Sequence, residues 1–592
     1  MEHKYNWDLE KYFYKNIDEE NLNKDIENTK KQLNDFIKKY KWNIKDFSEP
    51  EEFLEFFKDE EKIGIKLNKV FHYLFYKNSL NTQDQKVIKK MMEVENMFID
   101  IQNKLLFIEE EFKILWEEKL LQFAKSPELK QFKYYLIKKA EWLKHLLSEK
   151  EEKLLNEYSI VDSQIENLYS EFHNGLTFEI DGKTLTEEEV RSMRSSKDPQ
   201  KRRKAYQALR KKYDEFASKT VLSNSYSAFV KNWIVNMKIR WYKTVMEPRN
   251  KSEYMENEVI DLLIDQVIKH YPLFQKYVKL KAKLLWQKLP LPIQDLFAPV
   301  TESKTNFTKE EAIKIYLDVV KNFDKDFYNY SIDLLENWRV DFDVKKWKRW
   351  WAFASYSKWQ ESFVLLNFTW KLNDTSTLAH EFWHAIHGHL SQIQPEQVYD
   401  SPLSLAETAS IFNEMLLFDY LINDDKLSKE DKIYLLENKL QDIFATIFRQ
   451  IQYVDFERTV HENIKNNKQF SYKDYCKLWR NTQNKMSWDT IKYDVPEEKE
   501  NGWSMIPHIF NTPFYCYSYA FWNILTFSLY ERYKQKWKAF IQDYKNILKS
   551  WGSTPPKELL LQYGIDITKK EFYENAFKQI ENMIFQLEKL IK

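Results

Sequence analysis

At 592 residues the chain is longer than one hydrophobic core usually serves, so more than one packed unit is expected. Its 91 basic and 91 acidic residues cancel, which removes the basic excess a nucleic-acid surface needs, and no DNA- or RNA-binding motif is present. No run of about eighteen apolar residues exists to span a membrane, and two isolated cysteines, Cys476 and Cys516, exclude a disulfide framework and fit a reducing compartment.

In chain order, the stretch Met1 to Trp7 lacks the apolar core of an export signal, which makes the cytoplasm the default location. Helix signals dominate from there. Ser148-x-x-Glu151 and Thr308-x-x-Glu311 are capping boxes ahead of amphipathic runs. Leu176 to Ile180, turning at Asp181-Gly182, predicts a β-hairpin. The polar turn Ser195-Ser196-Lys197-Asp198-Pro199 marks a boundary near 190–200. It separates a helical N-terminal lobe, 1–195, from a second region, 196–592. Phe363 to Thr369 is rich in β-branched and aromatic residues and reads as a short strand. Asp374 to Ala379 then offers several N-cap candidates before apolar positions, so a helix begins there. Residues 429–466 contain neither proline nor glycine and read as one long helix or two stacked ones.

The helix after Thr377 carries His380-Glu381-Phe382-Trp383-His384. Histidines four apart project from one helix face, so both imidazoles can reach one zinc ion. The glutamate beside the first histidine is then placed to take a proton from water at the metal. The plain alternative is an ordinary helix bearing two surface histidines. A catalytic zinc needs a third protein ligand. A histidine six positions past His384 would supply it in one known pattern, but Leu390 stands there. His387 is close, yet one helix does not easily give three ligands in tetrahedral geometry. Glu407 is the better candidate. Pro395 and Pro402 break the chain, so the helical segment around Glu407 can fold back onto the first helix. Glu407 and Glu414 are two turns apart and share a face, and an acidic pair on an otherwise apolar helix needs a metal or a histidine ring as partner. Solvation of both carboxylates is the alternative.

With these residues the chain resembles the thimet oligopeptidase/oligoendopeptidase F family of zinc metallopeptidases, on the oligoendopeptidase F side. The matching pieces are HEFWHAIH at 380–387, ETASIFNE at 407–414, VLLNFT at 364–369 and IPHIFNTPFYCYSYAF at 506–521. NWDLEKYF near the start and DGKTLTEEEV at 181–190 are also similar. The resemblance implies a mainly α, two-lobed zincin-like peptidase, with a deep central cleft and a small β-sheet by the metal helix. It implies one Zn2+ per chain, held by His380, His384 and Glu407, with Glu381 as general base. It also implies that His508 and one or more of Tyr515, Tyr517 and Tyr519 line the cleft as oxyanion donors, Tyr519 first and then Tyr515.

The implied activity is endopeptidase cleavage of internal bonds in short oligopeptides by metal-activated water. Oligopeptides are the partners, with neither nucleic acid nor membrane. A dipeptidyl carboxypeptidase of similar fold is the near alternative; it would need a cationic anchor for the substrate carboxylate.

One departure stands out. The family carries glycine where this chain has Trp383, and tends to carry it at Trp350, Trp351, Trp370, Trp522 and Trp551. The chain holds only 7 glycines but 20 tryptophans, against an ordinary glycine usage of roughly 7%. A UGA codon read as glycine by the source, but translated here as tryptophan, explains both facts. The Lys-, Asn-, Ile- and Tyr-rich composition suits an AT-rich genome, in which UGG codons are scarce. Trp7 and Trp503 fall where the family also carries tryptophan. If Trp383 is genuine, its indole is expected to overpack the metal helix, and an inactive peptide-binding homologue becomes the reading.

Overall fold

The computed structural model of the protein describes residues 5–303, 305–399 and 402–592, leaving the first four residues outside it. The side chains of residues 149, 159–163, 166, 403 and 551 are likewise outside the description, the last being that of Trp551. The fold is mainly α, with a few short strands. No described helix is long and apolar enough to cross a membrane.

Local signals act where the sequence places them. Ser148 caps the helix Glu149–Asn174 and Thr308 caps Lys309–Phe323, each within a reciprocal capping box. Asp181 and Gly182 both take positive φ and close the hairpin between Thr177–Ile180 and Lys183–Thr186. Lys429–Ile443 runs through a π-helical stretch, Phe444–Phe448, into Arg449–Lys465, so this segment is one continuous helix. The strand near 363 is shifted: it spans Gln360–Leu365, and 366–369 lies beyond it. The metal-motif helix also starts earlier than expected, at Leu372, and runs to Ser391.

A three-stranded sheet organises the interior. Gln360–Leu365 is its central strand, parallel to Val340–Asp341 and antiparallel to the edge strand Phe353–Ser357. Alternation along the central strand splits its side chains between two cores. Phe363 and Leu365 join the core of the N-terminal helices, and Val364 joins the large core that holds the motif helix. Ser362 donates to the Ala385 carbonyl at 3.0 Å and ties strand to helix. Trp7 seals the other side, its indole N–H shared between the Arg339 and Val364 carbonyls at 3.0 and 2.8 Å. A third core joins residues 169–234 to 456–510, so the polar turn at 195–199 lies within one packed region.

The tryptophans divide into two populations. Among the described residues fourteen non-glycine positions have positive φ, and ten of them are tryptophan: 42, 116, 241, 286, 338, 347, 359, 370, 488 and 537. All ten side chains are exposed. An L-residue pays about 1–2 kcal/mol for left-handed backbone. Trp7, Trp383, Trp479, Trp503 and Trp522 are instead buried. Trp383 does not overpack the helix as expected. Its indole lies in a recess against Phe323 and Phe327, with Nε1 donating to the Tyr544 hydroxyl at 3.0 Å.

The helix Arg449–Lys465 braces the C-terminal loop through one acidic side chain. Fully buried Glu457 accepts the Phe514 N–H at 3.1 Å, just before Tyr515. Burial pushes its carboxyl up to about 8. The folded state therefore holds a proton between about pH 4.5 and 8 that the unfolded chain has released, and stability falls as pH rises through that window. Replacing Glu457 by Gln removes this titration. Denaturant unfolding at pH 5 and pH 8 should show the variant gaining on the parent by several kcal/mol, at about 1.4 kcal/mol per unit; a pH-independent difference would refute the assignment.

Candidate metal centre

Three elements bring the site together. The motif helix is anchored at its start by Asp374, whose Oδ2 accepts the Thr369 and Lys371 N–H groups at 2.6 and 3.0 Å. After the proline-containing connection the chain returns as the helix Thr408–Ile422, with Glu407 at its N-cap position. Asn413 donates to the Ala379 carbonyl and stitches the two helices side by side. Tyr517–Lys536 packs across the start of the second helix, where Thr526 donates to the Thr408 carbonyl at 3.2 Å.

His380, His384 and Glu407 converge. Glu407 Oε2 lies 3.2 Å from His380 Nε2 and 3.1 Å from His384 Nε2, and the two imidazole nitrogens are 3.2 Å apart. Metal–ligand bonds near 2.0–2.1 Å in a tetrahedron set ligand atoms roughly 3.3 Å apart. The triangle therefore has the dimensions of one face of a zinc coordination shell. Its chemistry fits too: neutral imidazole nitrogens and a carboxylate oxygen turn lone pairs toward one another, which requires a cation or a proton between them. Histidine and carboxylate donors suit a divalent transition metal.

The electrostatics follow from who faces whom. Burial opposes ionisation of Glu407, but His384 and His380 overcome it and hold the carboxyl well below the usual range. Glu414 Oε1 meets His380 Nδ1 at 2.7 Å, and its other oxygen accepts from Lys439 Nζ at 2.9 Å. Burial again opposes the charge; Lys439 and His380 bring Glu414 down to about 2. Glu381 differs. It is buried, and desolvation raises its carboxyl despite the two imidazoles and a backbone hydrogen bond from Ala354 on the edge strand. His387 is not in the group: it is buried on another side of the helix, toward the Leu548 backbone.

His508, Tyr515 and Tyr519 form a second cluster. The Tyr519 hydroxyl lies 3.3 Å from His508 Nε2, His508 stacks on Tyr515 at 5.8 Å, and the two tyrosine rings meet edge-on at 5.2 Å. Burial raises both hydroxyls, and Glu407 adds to each shift, so the cluster lies within the field of the metal group. Tyr517 points elsewhere, fully buried in the large core. A cavity of about 520 Å³ borders His380 and Glu414 and is lined also by Asn373, Lys439, Asp442 and Phe297.

Sequence reasoning misses two contributors. Ser410 donates to Glu407 Oε2 at 2.7 Å, and its only trace is a hydroxyl three residues along the same helix. Lys439 has no local signal, since its role depends on how the 429–443 helix packs.

Comparison with known proteins identifies the family. The family model for Peptidase family M3 matches residues 192–579, and that for Oligopeptidase F matches 111–178. The chain is 27% identical to oligopeptidase PepF of Bacillus subtilis over 99% of its own length and 87% of the relative's. It is 27% identical to group B oligopeptidase PepB of Streptococcus agalactiae over 100% and 98%. Among solved structures, oligoendopeptidase-F from Enterococcus faecium superposes with a TM-score of 0.70 at 21% identity, covering 96% of this chain and 98% of that one. With more than half its length matched, the chain belongs to peptidase family M3 and is a metallopeptidase, a hydrolase similar to the oligoendopeptidases F.

Proposed function

We propose that this chain is a zinc-dependent endopeptidase that hydrolyses internal bonds of short oligopeptides. The observation that carries the reading is the meeting of His380 Nε2, His384 Nε2 and Glu407 Oε2 beside a buried glutamate of raised pKa. Zinc, when bound there, supplies Lewis acidity toward a peptide carbonyl and toward water.

The chain's own residues do the rest. Glu414 accepts the Nδ1 proton of His380, which leaves Nε2 unprotonated and aimed at the ligand triangle. Lys439 keeps Glu414 charged for that task. Glu381 takes the proton of the attacking water and passes it to the leaving amine nitrogen. Its desolvated carboxyl is more basic than an exposed one, which suits both transfers. Charge then builds on the carbonyl oxygen, and the His508 imidazole and the Tyr519 and Tyr515 hydroxyls are donors suited to it. The edge strand Phe353–Ser357 offers an unpaired side for an extended peptide, and the Ala354 bond sets Glu381 beside that strand. A narrow cleft between two lobes, admitting only unfolded peptides, completes the reading. The two buried free cysteines suit a reducing, cytoplasmic setting.

Glu381→Gln should retain metal, measured by elemental analysis, and lose at least a thousandfold in kcat; chelation of the parent should do the same reversibly. Full turnover by the variant would end the mechanism. A fluorogenic peptide blocked at both termini should still be cut by the parent, whereas an exclusive need for a free C-terminus would point to dipeptidyl carboxypeptidase action.

A further inference from the structure

We propose that Arg194 and Arg449 build an anion pocket that takes a carboxylate of the peptide, either its C-terminus or an acidic side chain. The anion pocket is read from its own geometry; that the anion belongs to a peptide rests on the peptidase reading above. Arg194 lies in the turn Met193–Ser195 and Arg449 opens the helix Arg449–Lys465. Their guanidinium groups both face the ring of Phe297, at 5.2 and 5.3 Å from its centre. They line a cavity of about 190 Å³ together with Arg191, Arg210, Tyr453 and Trp479.

Two of the four arginines are neutralised: Arg191 by Glu187 at 2.7 Å and Arg210 by Glu500 at 2.5 Å. Among the described residues, the guanidinium groups of Arg194 and Arg449 have neither an ion pair nor a hydrogen bond, only aromatic rings facing them. Asp442 lies within the field of Arg449 but outside ion-pair distance. Burial and the neighbouring arginines push the Arg194 guanidinium down to about 10. Two further donors, Arg449 Nε and the indole Nε1 of buried Trp479, are shielded from water and lack an acceptor. The wall is closed by backbone at Gly502, where a Cβ would fall 2.6 Å from Trp479 Nε1. Half-buried cations and unmet donors around one small space call for an anionic acceptor. Phe297 also lines the cavity that borders His380, so the two spaces share a wall.

The test measures binding to metal-loaded Glu381→Gln protein, which should not turn the peptides over. One labelled peptide is used as its free acid, as its C-terminal amide, and with each Asp or Glu changed to Asn or Gln. Removing the recognised carboxylate should weaken binding about tenfold or more, and Arg194→Gln/Arg449→Gln should erase that ratio. The lysine versions should restore part of it. An effect of the amide alone identifies the C-terminus as source; an effect of the side-chain changes alone identifies an acidic residue. No carboxylate dependence in the parent, or equal losses for acid and amide on mutation, overturns the pocket. Because Arg194 has no ion pair or hydrogen bond to lose, only its contact with the Phe297 ring, Arg194→Gln should melt close to the parent without peptide. If the parent turns over no peptide while the acid-to-amide ratio persists, only the peptidase reading has failed.

A separate observation supports a second inference. The geometry points to glycine, not tryptophan, at the ten left-handed positions of the protein as its source makes it. Trp241, Trp286 and Trp338 each sit one residue past a helix C-cap, and the following N–H reaches back five residues: Tyr242 to Met237, Gln287 to Ala282, Arg339 to Leu334. This is the Schellman stop, whose left-handed residue is usually glycine. The chain uses glycine in the same motif at Gly564, with Ile565 reaching Leu560. Trp116, at φ 67 and ψ 151, occupies a region essentially reserved for glycine. Trp350, Trp351, Trp383 and Trp522 carry no such backbone signal.

The coding DNA should show TGA at the ten positions, and mass spectrometry of the native protein should show glycine there. TGG codons at the ten, or tryptophan in the native peptides, overturn the inference. Independently, glycine at 241, 286 and 338 in the tryptophan-bearing protein should raise its melting temperature; a uniform decrease counts against it.

Discussion

The site depends on one ring held from two sides. His380 meets Glu407 through Nε2 and Glu414 through Nδ1; the first carboxylate belongs to the N-cap residue of the helix Thr408–Ile422 and the second lies seven residues further along it. That geometry forces the Glu407 helix to lie against the motif helix in one register, which Asn413 and the Ala379 carbonyl then lock. Buried charges are tolerated only when paired. Lys439, Glu414, His380 and Glu407 form one half-buried chain of polar partners, in which the imidazole bridges the two carboxylates, so each member is costly without the next. A divalent ion at the triangle would meet the one carboxylate charge there, that of Glu407. The cradle that would hold metal is thus also the cradle that keeps two helices in place.

Much of this is legible in the amino-acid sequence. The spacing of His380 and His384 carries its own geometry, because a helix puts residues four apart on one face. Glu407 and Glu414 are legible for a related reason: acids two turns apart on an apolar helix declare a buried partner. Capping boxes at Ser148 and Thr308 and the hairpin at Asp181-Gly182 are equally readable, since their signals lie within a few residues. Contacts set by packing between distant segments leave no such trace. Lys439 reaches Glu414 only because its helix passes there, and Arg194 meets Arg449 across 255 positions of chain with Phe297 between them. Strand and helix ends near the site also differ from expectation, because Asp374 captures N–H groups upstream of the first apparent cap.

The tyrosines show how a helix resolves an ambiguity that a string of residues leaves open. Tyr515, Tyr517 and Tyr519 alternate in sequence, and an extended chain would have paired the outer two against the middle one by pleat. The structure gives the same grouping for another reason: Tyr515 lies in the turn ahead of the helix that starts at Tyr517, and Tyr519 in its first turn, where the two rings meet edge-on. Tyr517 is thereby sent into the core, while the other two converge on His508. Glu457 holds the Phe514 N–H just ahead of this helix, so the buried acid braces the His508 cluster without facing it.

The two tryptophan populations sharpen the distinction between a residue the fold uses and one it merely tolerates. Trp7 donates to two carbonyls of the sheet region and Trp503 packs among Tyr226, Tyr475 and Phe510, so neither could become glycine without opening the interior. The ten exposed ones contribute side chains to solvent and strain to the backbone. Trp383 belongs with the first group by packing. Its indole fills a recess lined by Phe323, Phe327 and Tyr544, none of which is a residue of the ligand triangle. A glycine there would leave His380, His384 and Glu407 their mutual contacts and take away only the packing beneath them. The chemistry at the triangle is therefore insulated from the identity of residue 383, although the stiffness of the helix that carries it is not.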